Sequence, residues 1–428
     1  SVSENKVPLI EFIQDEVIRE LKESYPEYVK DEEHFLAIAL SDIFHATKRK
    51  FIIIIDEWDC VFREEKKNEQ LQETYISLLR SLFKGVLAEE TIALAYMTGI
   101  LPIKKYGTQS ALNNFNEYTM VDPSIMAPYM GFTEDEVKGL CQRYSMDYEE
   151  ARRWYDGYKL RKAGHIYSPK SVVEAMYRQD YGSYWTSTET YESLKGYITG
   201  NFDGLKDAVI KLLAGQSCPL EAGTFQNDMT SFNNADEVLT LLIHLGYLTY
   251  DFDTKSCWIP NMEVQQEFER SIKDGGWERV INAINQSEEC LKATLSGDEE
   301  TVARIVEQIH QENTSIIEYN DENALACVVT LAFYTARNQY EIIRELPTGK
   351  GYADIAFLPR PNENVPAIVV ELKKEQDASI ALEQIRNRQY TEKLSAYSGE
   401  VILVGINYTT DPNTEYKKHT CRIEKIVK

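Results

Sequence analysis

Between Tyr340 and Asn407 the chain reads as short apolar strands that carry charge where a buried strand tolerates it least. Ala367-Ile368-Val369-Val370-Glu371-Leu372-Lys373 is an apolar run ending in Glu-x-Lys, and Asp354 precedes Glu371 by 17 positions. Side chains two apart in a strand share a face. Glu371 and Lys373 therefore point one way, and Val370 and Leu372 the other. Burying two carboxylates and a lysine is costly unless they pair with one another or hold a cation. A salt-bridged Glu–Lys pair, with Asp354 as a turn residue, is one reading. The other is chemical: two carboxylates hold a hard cation beside a lysine that orients a water, which suffices to cut a phosphodiester.

The order of elements favours the chemical reading. The pattern predicts a helix over 322–337 and a hairpin of strands 340–346 and 352–358 across Pro347-Thr348-Gly349-Lys350-Gly351. A third strand over 366–373, a helix over 378–397 and a strand over 401–407 follow, with a last strand near 420–427 at the edge. The core order is α-β-β-β-α-β.

The N-terminal part is α/β. Helical spacing of apolar residues runs through 8–47, and Phe51-Ile52-Ile53-Ile54-Ile55 is a β-branched run expected to be buried on both faces of a parallel sheet. A helix over 71–87 and a second strand over 92–96 complete the alternation. The first strand ends in Asp56-Glu57, and the second leads into Thr98-Gly99. One reading is a solvated acidic turn at the end of a parallel strand. The other is the Walker B arrangement of an NTPase, in which the Asp holds Mg²⁺ through water and the Glu polarises the attacking water. Thr98 would then sense the γ-phosphate. The phosphate-cradling G-x-x-x-x-G-K-[ST] occurs nowhere in the chain. From 133 to 268 the pattern is mainly helical, with a helix near 238–245 running into a short β-wing, and a helical stretch over 277–313 follows. The expected domains are 1–130, 131–270, a helical linker over 271–314, and 315–428.

Charge is unevenly spread. The net charge is −23, yet residues 341–428 hold 13 basic and 13 acidic residues, so the whole deficit lies in 1–340. That argues against a non-specific nucleic-acid coat and allows only local phosphate contacts. Seven scattered cysteines without a CxxC spacing point to neither a zinc knuckle nor a disulfide framework, and fit a reducing cytoplasm. No apolar run is long enough to span a membrane, and Ser1–Lys6 has no signal-peptide pattern.

Asp354…Glu371-x-Lys373 in this strand order resembles the PD-(D/E)xK nuclease core, a restriction-endonuclease-like fold. Ala381-Leu382-Glu383-Gln384-Ile385 with Tyr390 resembles the A-x-x-Q-I…Y pattern of one branch of that superfamily. The resemblance implies that Asp354 and Glu371 bind Mg²⁺ or Mn²⁺, with the Leu372 carbonyl completing the site. Lys373 would position or activate the water, Gln384 would be an accessory polar group, and Glu322 a further acid. Ala353 stands where many members carry proline.

Asp56-Glu57-Trp58-Asp59, Thr98-Gly99-Ile100-Leu101, Asn113-Asn114-Phe115, Trp154-Tyr155-Asp156-Gly157-Tyr158 and Gly246-Tyr247-Leu248 together resemble the AAA-ATPase-like family of bacterial proteins. Such proteins commonly end in a PD-(D/E)xK domain. In that family the phosphate loop lies upstream of the first helices seen here. The chain therefore reads as a partial P-loop ATPase-like domain, a helical winged extension and a nuclease-like domain. ATP bound through Asp56, Glu57 and Thr98 is expected only of a longer form, and ATP hydrolysis is not expected of this one.

The function implied is Mg²⁺-dependent hydrolysis of nucleic acid, with DNA as partner, no membrane partner and room for a homo-oligomer. The alternative is a nucleotide-switched signalling or scaffold protein that keeps a catalytically silent nuclease fold.

Overall fold

The computed structural model describes residues 8–30, 33–65, 68–100, 112, 114–185, 205–224, 232, 234–274, 278–312, 322–348, 351–361, 363–374, 378, 380–381, 399–410 and 417–426. Helices α1 (Leu9–Ser24) and α2 (Leu36–Thr47) precede strand β1 (Phe51–Ile55). Next come α3 (Cys60–Glu64), α4 (Glu69–Phe83), α5 (Val86–Thr91) and β2 (Ile92–Met97). The middle of the chain holds β3 (Phe132–Thr133), α6 (Glu134–Tyr144), α7 (Tyr148–Tyr155), β4 (Tyr158–Leu160), β5 (Gly164–Tyr167) and α8 (Pro169–Arg178). It continues with α9 (Leu205–Leu213), β6 (Cys218–Pro219), α10 (Ala235–His244), β7 (Thr249–Asp251), β8 (Ser256–Trp258) and α11 (Met262–Asp274). Then follow α12 (Glu278–Ser296), α13 (Glu299–Glu312), α14 (Glu322–Ala332), β9 (Tyr340–Thr348), β10 (Gly351–Pro359), β11 (Ala367–Lys374), β12 (Val401–Thr410) and β13 (Lys417–Ile426).

The chain divides into two compact units. The first comprises residues 1–131, 158–166 and 220–255. In it β1 and β2 pair in parallel, Ile53 opposite Ala95 and Ile55 opposite Met97. Phe51, Ile53, Ile55, Ala95 and Met97 pack on a core built by α1, α2 and α4, including Ile18, Leu40, Ile43 and Leu79. The expectation of a strand buried on both faces is corrected here. Ile52 is 64% exposed and Ile54 70%, with Leu94 and Tyr96 beside them on the same open face. Alternate side chains of a strand face opposite ways, and the helices described cover one face. The predicted helix over 71–87 is two helices, interrupted at Lys84-Gly85.

The second unit comprises residues 132–157, 167–219 and 256–428. One of its cores is helical: Val137, Cys141, Ala151, Tyr155, Val172 and Met176 pack between α6, α7 and α8. The helix α6 opens with a capping box, in which Thr133 and Glu136 satisfy each other's backbone N–H. Gly157, at φ +114, ends the Trp-Tyr-Asp-Gly segment. A Cβ there would lie 1.9 Å from the Pro260 carbonyl oxygen, so only glycine fits.

The five-stranded sheet of this unit has the order β13-β12-β11-β10-β9. Only β11 and β12 run parallel; the other neighbours are antiparallel. A parallel step needs a crossover, and the segment between β11 and β12 supplies it, with Ala378 and Ala381 helical and buried at its start. The first eight residues of β12 are all buried, as befits an interior strand of a covered sheet. The observed order α14, β9, β10, β11, β12 agrees with the strand order read from the pattern; of the helix expected over 378–397 only residues 378, 380 and 381 are described, and the rest lies outside the described residues. The helix predicted over 322–337 ends at Ala332 and continues as a 3₁₀ turn over Tyr334–Asn338.

Candidate active site

The strands β10 and β11 bring the C-terminal residues together. Ile355 lies opposite Val370, and the next residues along the two strands are Asp354 and Glu371. The Leu372 N–H donates to Asp354 Oδ2 at 2.6 Å. The Asp354 carboxylate is thus tied to the strand that carries the Glu-x-Lys. Lys373 Nζ donates to Glu371 Oε1 at 3.1 Å, on the shared face expected from their spacing. The Glu371 side chain is 1% exposed and that of Lys373 14%, so this pair is shielded from water and screened less than a surface pair.

The strand β12 forms the neighbouring wall. Gly405 is the register partner of Glu371, and Asn407 that of Lys373. A Cβ on Gly405 would lie 2.5 Å from the Ala378 carbonyl oxygen and 3.0 Å from Ala381 Cβ. Glycine therefore lets Ala378 and Ala381 press onto the sheet beside Glu371. Asn407 is buried and polar, and sequence reasoning missed it. Its signal was present: Gly405-x-Asn407 repeats the two-residue spacing of Glu371-x-Lys373 on the adjacent strand. Gln384 lies outside the described residues. Glu322 begins α14, and its side chain also lies outside them.

The donor set suits a hard cation. Among the described residues no group of three or more His, Cys, Asp and Glu is arranged to hold a metal. The protein's own donors here would be two carboxylates and a carbonyl. Mg²⁺ is commonly bound by one or two carboxylates while keeping several waters. Asp354 and Glu371 fit that requirement.

The second constellation sits at the ends of β1 and β2. Thr98 N–H donates to the Ile55 carbonyl at 2.9 Å, and Trp58 N–H donates to the Thr98 carbonyl at 2.8 Å. The Thr98 hydroxyl donates to Asp56 Oδ1 and accepts the Glu57 N–H at 3.3 Å. Asp56, Glu57 and Thr98 are therefore adjacent, with both carboxylates exposed. Glu57 adopts φ +53, a left-handed conformation uncommon for its type. Arg63 holds it with an ion pair of 3.0 Å and reaches Asp59 at 3.3 Å. The Asp59 side chain is buried and also accepts the Ile100 N–H at 3.2 Å. Sequence reasoning gave Asp59 and Arg63 no role. Their signal was the Asp at i and Arg at i+4.

Comparison with known proteins matches two segments, one near each end of the chain. Residues 320–418 match the family model of the PD-(D/E)XK nuclease superfamily, and residues 3–108 match that of a predicted AAA-ATPase. No curated protein and no solved structure matches the chain. Among the described residues no helix is long and apolar enough to cross a membrane. The chain thus carries an AAA-ATPase-like domain at residues 3–108 and a PD-(D/E)XK nuclease superfamily domain at residues 320–418.

Proposed function

We propose that the C-terminal domain is a metal-dependent nuclease that hydrolyses phosphodiester bonds of nucleic acid, with DNA as the substrate. The observation that carries this reading is the convergence of Asp354, Glu371 and Lys373 where β10 meets β11. Asp354, Glu371 and the Leu372 carbonyl would hold Mg²⁺ or Mn²⁺, which when bound neutralises charge on the phosphate. The Glu371 carboxylate holds the Lys373 ammonium in place, and that ammonium orients the attacking water by donating a hydrogen bond to its oxygen. Gln384 acts as an accessory polar group. Burial keeps the Lys373 charge effective, because water screens it little.

In the same proposal Asp56, Glu57 and Thr98 are the Mg²⁺- and phosphate-facing end of a nucleotide site. Nuclease and ATPase parts would then be coupled, with domains at 1–130, 131–270, 271–314 and 315–428. Seven free thiols suit a cytoplasmic setting. One observation favours the second reading, a nucleotide-switched scaffold with a silent nuclease fold: the negative charge carried by residues 1–340 repels nucleic acid.

Calorimetric titration with Mn²⁺ separates the two readings. The nuclease reading expects one site that is lost in Asp354→Ala and kept in Lys373→Ala. Absence of Mn²⁺ binding in the unsubstituted chain would remove the metal from the mechanism.

A further inference from the structure

The seven cysteines are free thiols, and two of them face each other. In the short antiparallel pairing of β6 with β8, Cys218 is opposite Cys257 and Pro219 is opposite Ser256. Proline has no N–H, so Pro219 and Ser256 cannot exchange both main-chain bonds and form the non-hydrogen-bonded pair. The pair beside it, Cys218 and Cys257, is then the hydrogen-bonded type, with Cα atoms about 5.5 Å apart. That distance falls within the usual Cα separation across a disulfide. Opposed residues of a ladder project to the same face. The two thiols therefore differ from an arbitrary pair of buried cysteines: the register sets them opposite each other on one face of the ladder.

Both side chains are buried. Cys218 Sγ donates to the Ala208 carbonyl at 3.4 Å. Burial pushes the Cys218 thiol up to about 11, and the nearby Lys211 charge opposes that rise. Cys327, on α14, is near enough to feel Cys218, and burial pushes its thiol up to about 12. Cys290 and Cys421 are a second pair of neighbours, without a shared ladder.

We propose that Cys218 and Cys257 form a two-electron oxidation site, closing to a cross-strand disulfide when the protein meets hydrogen peroxide. The Cys218 thiolate attacks one peroxide oxygen, the O–O bond breaks, and a sulfenic acid and water form. The Cys257 thiolate then attacks the sulfenic sulfur, the S–O bond breaks, and a second water leaves. Two thiol protons and two electrons pass to one peroxide, giving one disulfide and two waters. Cys218 reacts first because Lys211 favours its thiolate. The reaction is slow at neutral pH, since burial keeps the Cys218 thiol protonated. The product pins β6 to β8.

The test treats the full chain with hydrogen peroxide, quenches it, alkylates it under denaturing conditions and maps its peptides. The expected result is a loss of two alkylatable thiols, a mass lower by about 2 Da and a Cys218–Cys257 crosslinked peptide that disappears on reduction. Cys327→Ser should leave that crosslink intact, while Cys218→Ser and Cys257→Ser should each abolish it. Mapping the unsubstituted protein decides the matter even if those two variants fold poorly. A crosslink between Cys290 and Cys421, or between Cys218 and Cys327, in its place would overturn the proposal. So would both thiols remaining unchanged after prolonged peroxide treatment at mildly alkaline pH, under which exposed cysteine is oxidised completely.

Discussion

Lys373 is held by a carboxylate that is almost fully buried, and this sets what its loss should do. On the proposed function, Lys373→Ala would leave Glu371 and Asp354 to hold a metal but remove the ammonium that orients the water. Cleavage should fall by roughly 10²–10³-fold while Mn²⁺ affinity stays within a few-fold. A matching loss of both would make Lys373 a structural partner of Glu371 only. At Gly405 the demand is steric. Gly405→Ala places a methyl group against the Ala378 carbonyl. Overpacking of this kind costs about 1–3 kcal/mol, so the urea midpoint should drop by a corresponding amount. Unchanged stability would mean the crossover helix moves aside freely. In the N-terminal unit, Arg63→Ala removes the ion-pair partner of the buried Asp59. Breaking a buried pair from one side costs about 3 kcal/mol, and Arg63→Ala should melt distinctly earlier than the parent in calorimetry.

Among the elements, β13 and α13 are joined by a buried polar chain outside the candidate active site. Lys417 Nζ lies 3.2 Å from His310 Nε2, and His310 Nδ1 lies 2.8 Å from His419 Nε2. His419 Nδ1 lies 3.1 Å from the Lys417 carbonyl, and its main-chain N–H donates to Glu307 at 2.8 Å. With both imidazoles neutral and protonated on Nδ1, each of these bonds has one donor and one acceptor. Burial lowers His310 to about 3, helped by the neighbouring His419 and Lys417, and lowers His419 to about 4. The unfolded chain binds these protons near the ordinary value of 6.5. The stability they contribute is therefore complete above pH 6.5 and is lost as pH falls from there through about 4 for His419 and toward about 3 for His310. His310→Gln keeps a polar partner but cannot titrate. It should flatten the acid loss by up to about 1.4 kcal/mol per pH unit. An identical pH slope in the variant would exclude His310 as a contributor.

The same scale shows why some elements were legible and others were not. The strands β9 to β12 follow from alternation, turn residues and the Glu-x-Lys, all of which are local. The sidedness of β1 is not local. Five consecutive apolar residues look alike whether one face or two are covered, and only the placement of α1, α2 and α4 distinguishes the cases. Asn407 was missed for the same reason, since its proximity to Lys373 depends on a parallel register set by a crossover of many residues.

For the whole molecule, charge and missing motif set the expectations. On the proposed function, a net charge of −23 with a neutral C-terminal segment would confine nucleic-acid contact to the nuclease-like domain. Without a G-x-x-x-x-G-K-[ST] loop, this chain should show no ATP turnover above background. Turnover that disappears in Asp56→Asn would contradict this and give the β1 end a catalytic role without that loop. The central claim concerns Asp354, Glu371 and Lys373. It is tested most directly by incubating the chain, Asp354→Ala and Lys373→Ala with single- and double-stranded DNA and RNA, in Mg²⁺, Mn²⁺ or chelator. The predicted result is metal-dependent cutting of DNA by the parent, abolished in Asp354→Ala and strongly reduced in Lys373→Ala. Cutting that persists in both variants, or in chelator, would contradict it.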